Sequence, residues 1–140
     1  ASDHAPHAPH EKAAADFEAA AAGVVGVETL LPLLIDAALA GRIRLEDVVA
    51  WTSERPAQLF GLAPRKGVIL PGADADLVLV DPKAAWTIER ARLKSRGKNT
   101  LFDGARGRGR VVATFLRGRC IARDGRIAAE PTGCWLTPAG

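Results

Sequence analysis

The sequence has no histidine after position 10. Chemistry that depends on imidazole is therefore confined to the first ten residues. It has two cysteines, Cys120 and Cys134, with no CxxC spacing between them. That pattern gives neither a cysteine-rich zinc cluster nor a disulfide framework, and two free thiols are the expectation. No apolar stretch approaches the roughly 20 residues that a membrane-spanning helix needs, and no signal peptide is visible. The expectation is a cytoplasmic protein without a membrane partner. The net charge of +3 is too small to imply nucleic acid without a clustered basic surface. There is no internal repeat. What is present is the composition of an ordinary globular domain: 140 residues, 48% hydrophobic and 25% charged, long enough to bury a core.

The chemically dense stretch is Ala1 to His10, reading Ala-Ser-Asp-His-Ala-Pro-His-Ala-Pro-His. Imidazole ligates metals and titrates near neutral pH, and a carboxylate beside it can bind a cation or move a proton. Pro6 and Pro9 disfavour a regular helix through the segment, since each removes a backbone donor and biases the residue before it. From these residues alone, two readings stay open: an ordered loop carrying polar side chains, or an exposed, unstructured terminus. Because the chain opens on this segment, and termini tend to fray, the expectation is the C-terminal part of something longer.

Beyond it, Ala13 to Gly23 is alanine-rich and reads as a short helical turn or a mobile loop. Val27, Leu30, Leu31, Leu34, Ile35, Ala38 and Leu39 recur at helical spacing and predict an amphipathic helix ending near Gly41. Pro32 falls in its first turns, where it does least harm. A second helix is predicted from Leu45 to Thr52, and a third from Pro56 to Gly61 with Leu59 and Phe60 on its buried face. The period then becomes strand-like. Gly67–Leu70, Asp76–Asp81, Trp86–Ile88, Arg110–Leu116, Arg119–Arg123 and Arg126–Ala128 read as short strands separated by turns. Helices first and strands afterwards indicate an α+β arrangement in separate layers.

Ser2-Asp3-His4-Ala5-Pro6-His7, with Glu11-Lys12 and then Gly23-Val24-Val25-Gly26-Val27-Glu28-Thr29-Leu30-Leu31-Pro32-Leu33, resembles the cyclic amidohydrolases, most closely the dihydroorotases. Ser53 to Leu62, Gly67 to Asp81 and Lys98-Asn99-Thr100-Leu101-Phe102-Asp103-Gly104 extend the likeness over nearly the whole chain. The resemblance implies the C-terminal end of a (β/α)8, or TIM, barrel at residues 1–62. A segment of the small β-sandwich follows at residues 63–140. It also implies a hydrolase of pyrimidine biosynthesis that opens dihydroorotate reversibly to N-carbamoyl-aspartate with a metal-activated hydroxide. Asp3 matches the family's metal-binding, proton-shuttling aspartate. His7 matches the histidine that binds the substrate carboxylate, and Ala22 and Gly23 occupy the loop whose backbone contacts the ring. His4 belongs to the motif without an assigned role, and His10 reads as a surface residue. Zinc is the implied cofactor of the complete enzyme.

The family's His-x-His pair, its bridging lysine and its two further histidines are absent. One aspartate cannot hold a zinc pair, since a catalytic zinc usually takes three protein ligands. The isolated chain is therefore expected to be inactive. Leu101 in place of the usual proline, and Ala21-Ala22 in place of bulkier residues, leave room for a hydantoinase or allantoinase substrate. A non-catalytic scaffold for aspartate transcarbamoylase is a further alternative. The helices expected to pack on a barrel would expose apolar faces here, so oligomers are anticipated. Arg106-Gly107-Arg108-Gly109-Arg110 could suggest RNA, but its arginines read as solvated groups flanking a hairpin. Asp74 and Asp76 read as turn residues, the three tryptophans (Trp135 a possible tail anchor) as packing, and Cys120 as a buried thiol.

Overall fold

The computed structural model describes residues 1–13 and 15–138. Ala14 of the alanine-rich stretch lies outside them, as do Ala139 and Gly140. The elements run α1 (Pro9–Lys12), α2 (Leu30–Leu39), α3 (Leu45–Val49), a π-helical turn (Ala50–Glu54), α4 (Arg55–Leu59), then β1 (Leu77–Thr87), a 3-10 turn (Arg90–Arg92), β2 (Arg106–Leu116), β3 (Arg119–Arg123) and β4 (Arg126–Ile127). The strands form one antiparallel sheet in the order β1-β2-β3-β4. The α+β arrangement, helices before strands, is what the change of period predicted.

Helix α2 follows its sequence signals closely. It begins at Leu30, which leaves Pro32 in the first turn, where no intrahelical donor is lost. It ends with Gly41 at φ +73°, whose N–H donates to the Ala38 carbonyl while the Arg42 N–H donates to Ala37. This is the paired closure that a left-handed glycine makes possible. The next two helices are one continuous run. Pro56 has no N–H to give to Thr52, and the chain spans that gap as a π-turn, in which the Arg55 N–H bonds to the Ala50 carbonyl.

Which face of that run is buried differs from expectation. Val48 and Ala57 are inside, whereas Leu59 is 81% exposed and Phe60 65% exposed. The inward side is set by the backbone of Gly67, which approaches Ala57 and Ser53 so closely that a Cβ there would lie 2.7 Å from the Ala57 methyl. Leu59, two positions beyond Ala57, turns away from it, and Phe60 lies past the last helical residue of α4. Gly67–Leu70 is not a strand. It is a series of bends, with Ile69 and Leu70 exposed.

The two strands expected at Asp76–Asp81 and Trp86–Ile88 are one bulged strand, β1. Pro82 interrupts neither, because β1 is an edge strand and a missing donor is tolerated there. The Asp81 carboxylate caps the irregularity by accepting the Lys83 and Ala84 N–H groups at 2.8 and 3.2 Å.

Helix α2 crosses the inner face of β2, and the two glycines of the Arg-Gly-Arg-Gly-Arg run make room for it. A Cβ at Gly107 would lie 2.4 Å from the Trp86 ring, and one at Gly109 2.2 Å from Ile35 Cγ2. Strand alternation puts Arg106, Arg108 and Arg110 on the exposed face. The glycines thus have a packing cause. Around this contact lie the buried residues Ile35 and Ala113, with Val25, Ile88 and Leu93 completing the core toward the N-terminal segment. Trp86 packs here, its indole N–H donating to the Arg108 carbonyl at 3.0 Å. Trp51 is more exposed than a core residue, and Trp135, at 91% exposure, does not anchor the tail. The tail is held instead by Arg117, whose guanidinium reaches the Thr132 carbonyl and Cys134 Sγ. Cys120 is half-buried rather than fully enclosed.

Candidate functional site

The first ten residues are an ordered segment. His4 and Val24 form a parallel β-bridge, and the Ala5 N–H donates to the Val24 carbonyl at 2.9 Å. Gly23 (φ +92°) sits so close to this pairing that a Cβ would lie 2.7 Å from the Ala5 methyl. Residues 3–5 and 22–24 therefore run side by side, which brings Asp3 near the Ala22–Gly23 backbone. Asp3 itself is exposed and adopts φ +46°, a left-handed conformation uncommon outside glycine.

Helix α1 starts at Pro9, at the position proline tolerates best, so the segment contains one helical turn after all. The Glu11 carboxylate accepts the Ala8 N–H at 2.6 Å and lies 3.8 Å from His7 Nδ1. Lys12 reaches across the loop, and its ammonium donates to the Ala21 carbonyl and, at 2.8 Å, to the Gly23 carbonyl. These two carbonyls flank Ala22, so Lys12 fixes the backbone of the predicted substrate loop. His7 and Lys12 line a cavity of about 280 Å³ with Arg90, Lys98 and Asn99. His10 is exposed on α1, away from this cavity.

The loop 93–100 forms the back of the segment. Gly97 is buried against Pro6 and His7, where a Cβ would come within 2.6 Å of the Pro6 carbonyl carbon. The Val25 N–H donates to the Asn99 carbonyl at 2.9 Å. Glu28 accepts the Lys94 N–H at 2.8 Å and the Ser95 N–H at 2.8 Å. Partial burial works to raise the Glu28 pKa, but the Lys94 and Ser95 hydrogen bonds and the Lys98 charge outweigh it and hold the carboxyl below its ordinary range.

Among the described residues no three histidine, cysteine, aspartate or glutamate side chains converge as a metal site. Asp3, presented outward, is the donor the segment offers. A larger cavity, about 570 Å³, lies elsewhere, between α2, α3, α4 and the start of β1. Its walls are apolar, apart from a cluster in which Lys66 pairs with Asp74 (2.8 Å) and Asp76, and Arg65 with Asp74 (3.1 Å). Asp74 and Asp76 are thus ion-paired structural groups.

Sequence reading singled out Asp3, His7, Ala22 and Gly23. It gave no role to Lys12, Glu28, Ser95 or Gly97, because their partners lie 9 to 91 residues away. A glycine in the polar Lys94–Thr100 loop was the one local signal of close approach.

Residues 1–121 match the amidohydrolase family. The dihydroorotase of Pyrococcus furiosus is 40% identical over 133 residues, which is 95% of this chain and 30% of that protein. The dihydroorotase of Mycobacterium tuberculosis is 41% identical over 130 residues, 92% of this chain and 30% of that one. Among solved structures, a D-hydantoinase superposes with a TM-score of 0.78 at 37% identity, covering 84% of this chain and 26% of that structure. The L-hydantoinase (dihydropyrimidinase) from Arthrobacter aurescens superposes with a TM-score of 0.78 at 35% identity, covering 82% and 26%. The chain thus spans about 30% of the length of the curated relatives it matches.

Proposed function

The chain belongs to the amidohydrolase family, and on that premise we propose that it is the C-terminal part of a dihydroorotase-like cyclic amide hydrolase. In this reading residues 1–62 close a (β/α)8 barrel and residues 63–140 belong to the small β-sandwich. The observation that carries the catalytic part of the reading is Asp3, an exposed carboxylate on a left-handed residue beside the loop that Lys12 fixes.

Asp3 fits one position of a zinc site and supplies one ligand; the remaining donors belong to the upstream barrel. Zinc bound there would lower the pKa of water and polarise the amide carbonyl. The Asp3 carboxylate takes a proton from the attacking water as its oxygen bonds to the carbonyl carbon. It returns that proton to the ring nitrogen as the C–N bond breaks. His7 holds the substrate carboxylate by a hydrogen bond, and the Ala22 and Gly23 backbone orients the ring. The alternatives keep the same machinery with another ring, hydantoin or allantoin; the hydantoinase superpositions support the first of these. The scaffold alternative, partnered with aspartate transcarbamoylase, would keep the fold without the upstream metal donors. The complete assembly is expected to be a cytoplasmic homo-oligomer acting on a small cyclic amide.

The test is a chimera in which this chain replaces the segment it matches in the Pyrococcus furiosus dihydroorotase. The expected result is zinc uptake and turnover of dihydroorotate, lost in Asp3→Asn. Turnover of hydantoin alone would move the assignment to the alternative. A zinc-loaded chimera that turns over neither would leave the scaffold reading.

A further inference from the structure

The structure assigns His4 as a positioning residue, one that holds Asp3 in its left-handed conformation by locking the segment to helix α2 and the 93–100 loop. It rests on the reading of Asp3 as the reacting carboxylate. Three elements meet on the His4 ring. On one side Nδ1 faces two backbone donors of the entry to α2, Gly26 N–H at 3.1 Å and Val27 N–H at 3.3 Å. On the other, Nε2 lies 3.5 Å from Ser95 Oγ. Two N–H groups aimed at Nδ1 require a lone pair there, so the ring proton sits on Nε2 and points at Ser95. Both nitrogens are engaged, and His4 is not free to ligate a metal.

The neighbouring geometry shows what this lock does. A non-glycine residue at φ +46° is in a sparsely populated region and is held there by its surroundings. Asp3 is gripped from both directions. Ahead of it, Ser2 is wedged against Gly26, whose missing Cβ would lie 2.5 Å from the Ser2 carbonyl oxygen. Behind it come the His4 ring and the bond from Ala5 N–H to Val24. Gly26 is common to both grips: it leaves room for Ser2 and donates its N–H to His4. Ser95 is in turn fixed by Glu28, one residue after Val27, through its backbone N–H at 2.8 Å. His4 and Glu28 thus hold the same two elements together, one from each side of Val27. This is a backbone support behind a reacting carboxylate, built by a residue whose two ring nitrogens face other protein groups.

The experiment is NMR on the 140-residue chain labelled with nitrogen-15 and carbon-13, with no substrate or metal added, comparing the wild type with His4→Leu and His4→Asn. Leucine keeps much of the volume without an acceptor. Asparagine places a carbonyl oxygen near the Nδ1 position. In the wild type the His4 ring should carry its proton on Nε2. The one-bond Cα–Hα coupling of Asp3 should have the low value of a positive φ. In His4→Leu the Gly26 and Val27 amides should exchange at least about tenfold faster, and the Asp3 coupling should rise to that of an ordinary φ. His4→Asn should restore both. A ring proton on Nδ1 in the wild type overturns the proposal without any variant having to fold. So does a His4→Leu protein whose Asp3 coupling is unchanged. Because no readout uses turnover, a chimera inactive on every cyclic amide would refute the proposed reaction and leave these NMR results standing.

Discussion

Replacing Gly109 with alanine tests the packing of α2 on the sheet. Gly109 is buried at φ +86°, and a Cβ there would lie 2.2 Å from Ile35 Cγ2 and 3.0 Å from Leu39 Cδ1. Two costs add. Holding alanine in the left-handed region costs about 1–2 kcal/mol. Forcing a methyl into a packed contact costs about 1–3 kcal/mol. Alanine also stiffens the unfolded chain, which returns about 0.4–1 kcal/mol. The net loss is about 1–4.6 kcal/mol, a large part of the roughly 5–15 kcal/mol by which domains are stable. Gly125→Ala is the control. Gly125 has a similar φ, +74°, with nothing within 4 Å of a Cβ, so it carries the backbone cost alone. Urea unfolding of both variants should separate them by the packing cost. A double substitution with Ile35→Ala removes the atom that clashes, and should be less destabilised than the sum of its parts by about 1 kcal/mol or more. If Gly109→Ala is no more destabilising than Gly125→Ala, α2 does not lie on β2 as described.

Acid should weaken the fold through carboxylates held below their ordinary range, among them Asp74, Asp76 and Glu28. Asp74 is held by Lys66 and then Arg65; at Asp76 and at Glu28 burial pushes the other way but is outweighed, by Lys66 with the Arg117 N–H at Asp76 and by the Lys94 and Ser95 amides with the Lys98 charge at Glu28. Their folded values lie below the unfolded ones, so their contribution is present above about pH 4 and is lost as pH falls through the folded values. Lys66→Met should flatten this acid dependence, followed by urea midpoints against pH, and an unchanged slope would contradict it. Equilibrium dialysis with elemental analysis should find no stoichiometric zinc on the isolated 140 residues, and assays should find no steady turnover of dihydroorotate. One zinc per chain would mean that Asp3 has protein co-ligands here. Leu59, Phe60, Ile69 and Leu70 are all exposed, so light scattering should show oligomers and an apolar dye should bind. A compact monomer without dye binding would contradict that expectation.

The order of helices and strands and the end of α2 at Gly41 were fixed by local chemistry. Apolar spacing, proline position and glycine placement act within a few residues, and a sequence displays them directly. The Asp3-His4-Ala5-Pro6-His7 string also carried the family likeness, because the chemistry of that site is concentrated in one short stretch. Tertiary structure decided the rest. Whether Leu59 or Ala57 is buried depends on the backbone at Gly67, and whether β1 breaks at Pro82 depends on its lying at the sheet edge. The glycines of Arg106–Arg110 are explained only once α2 is seen against them. The same holds for His4. In the sequence it is one of three similar histidines, and its role arises from Gly26, Val27 and Ser95. Hydrogen bonds between residues up to 91 positions apart leave no period or spacing to read, because their geometry exists only when the chain is folded.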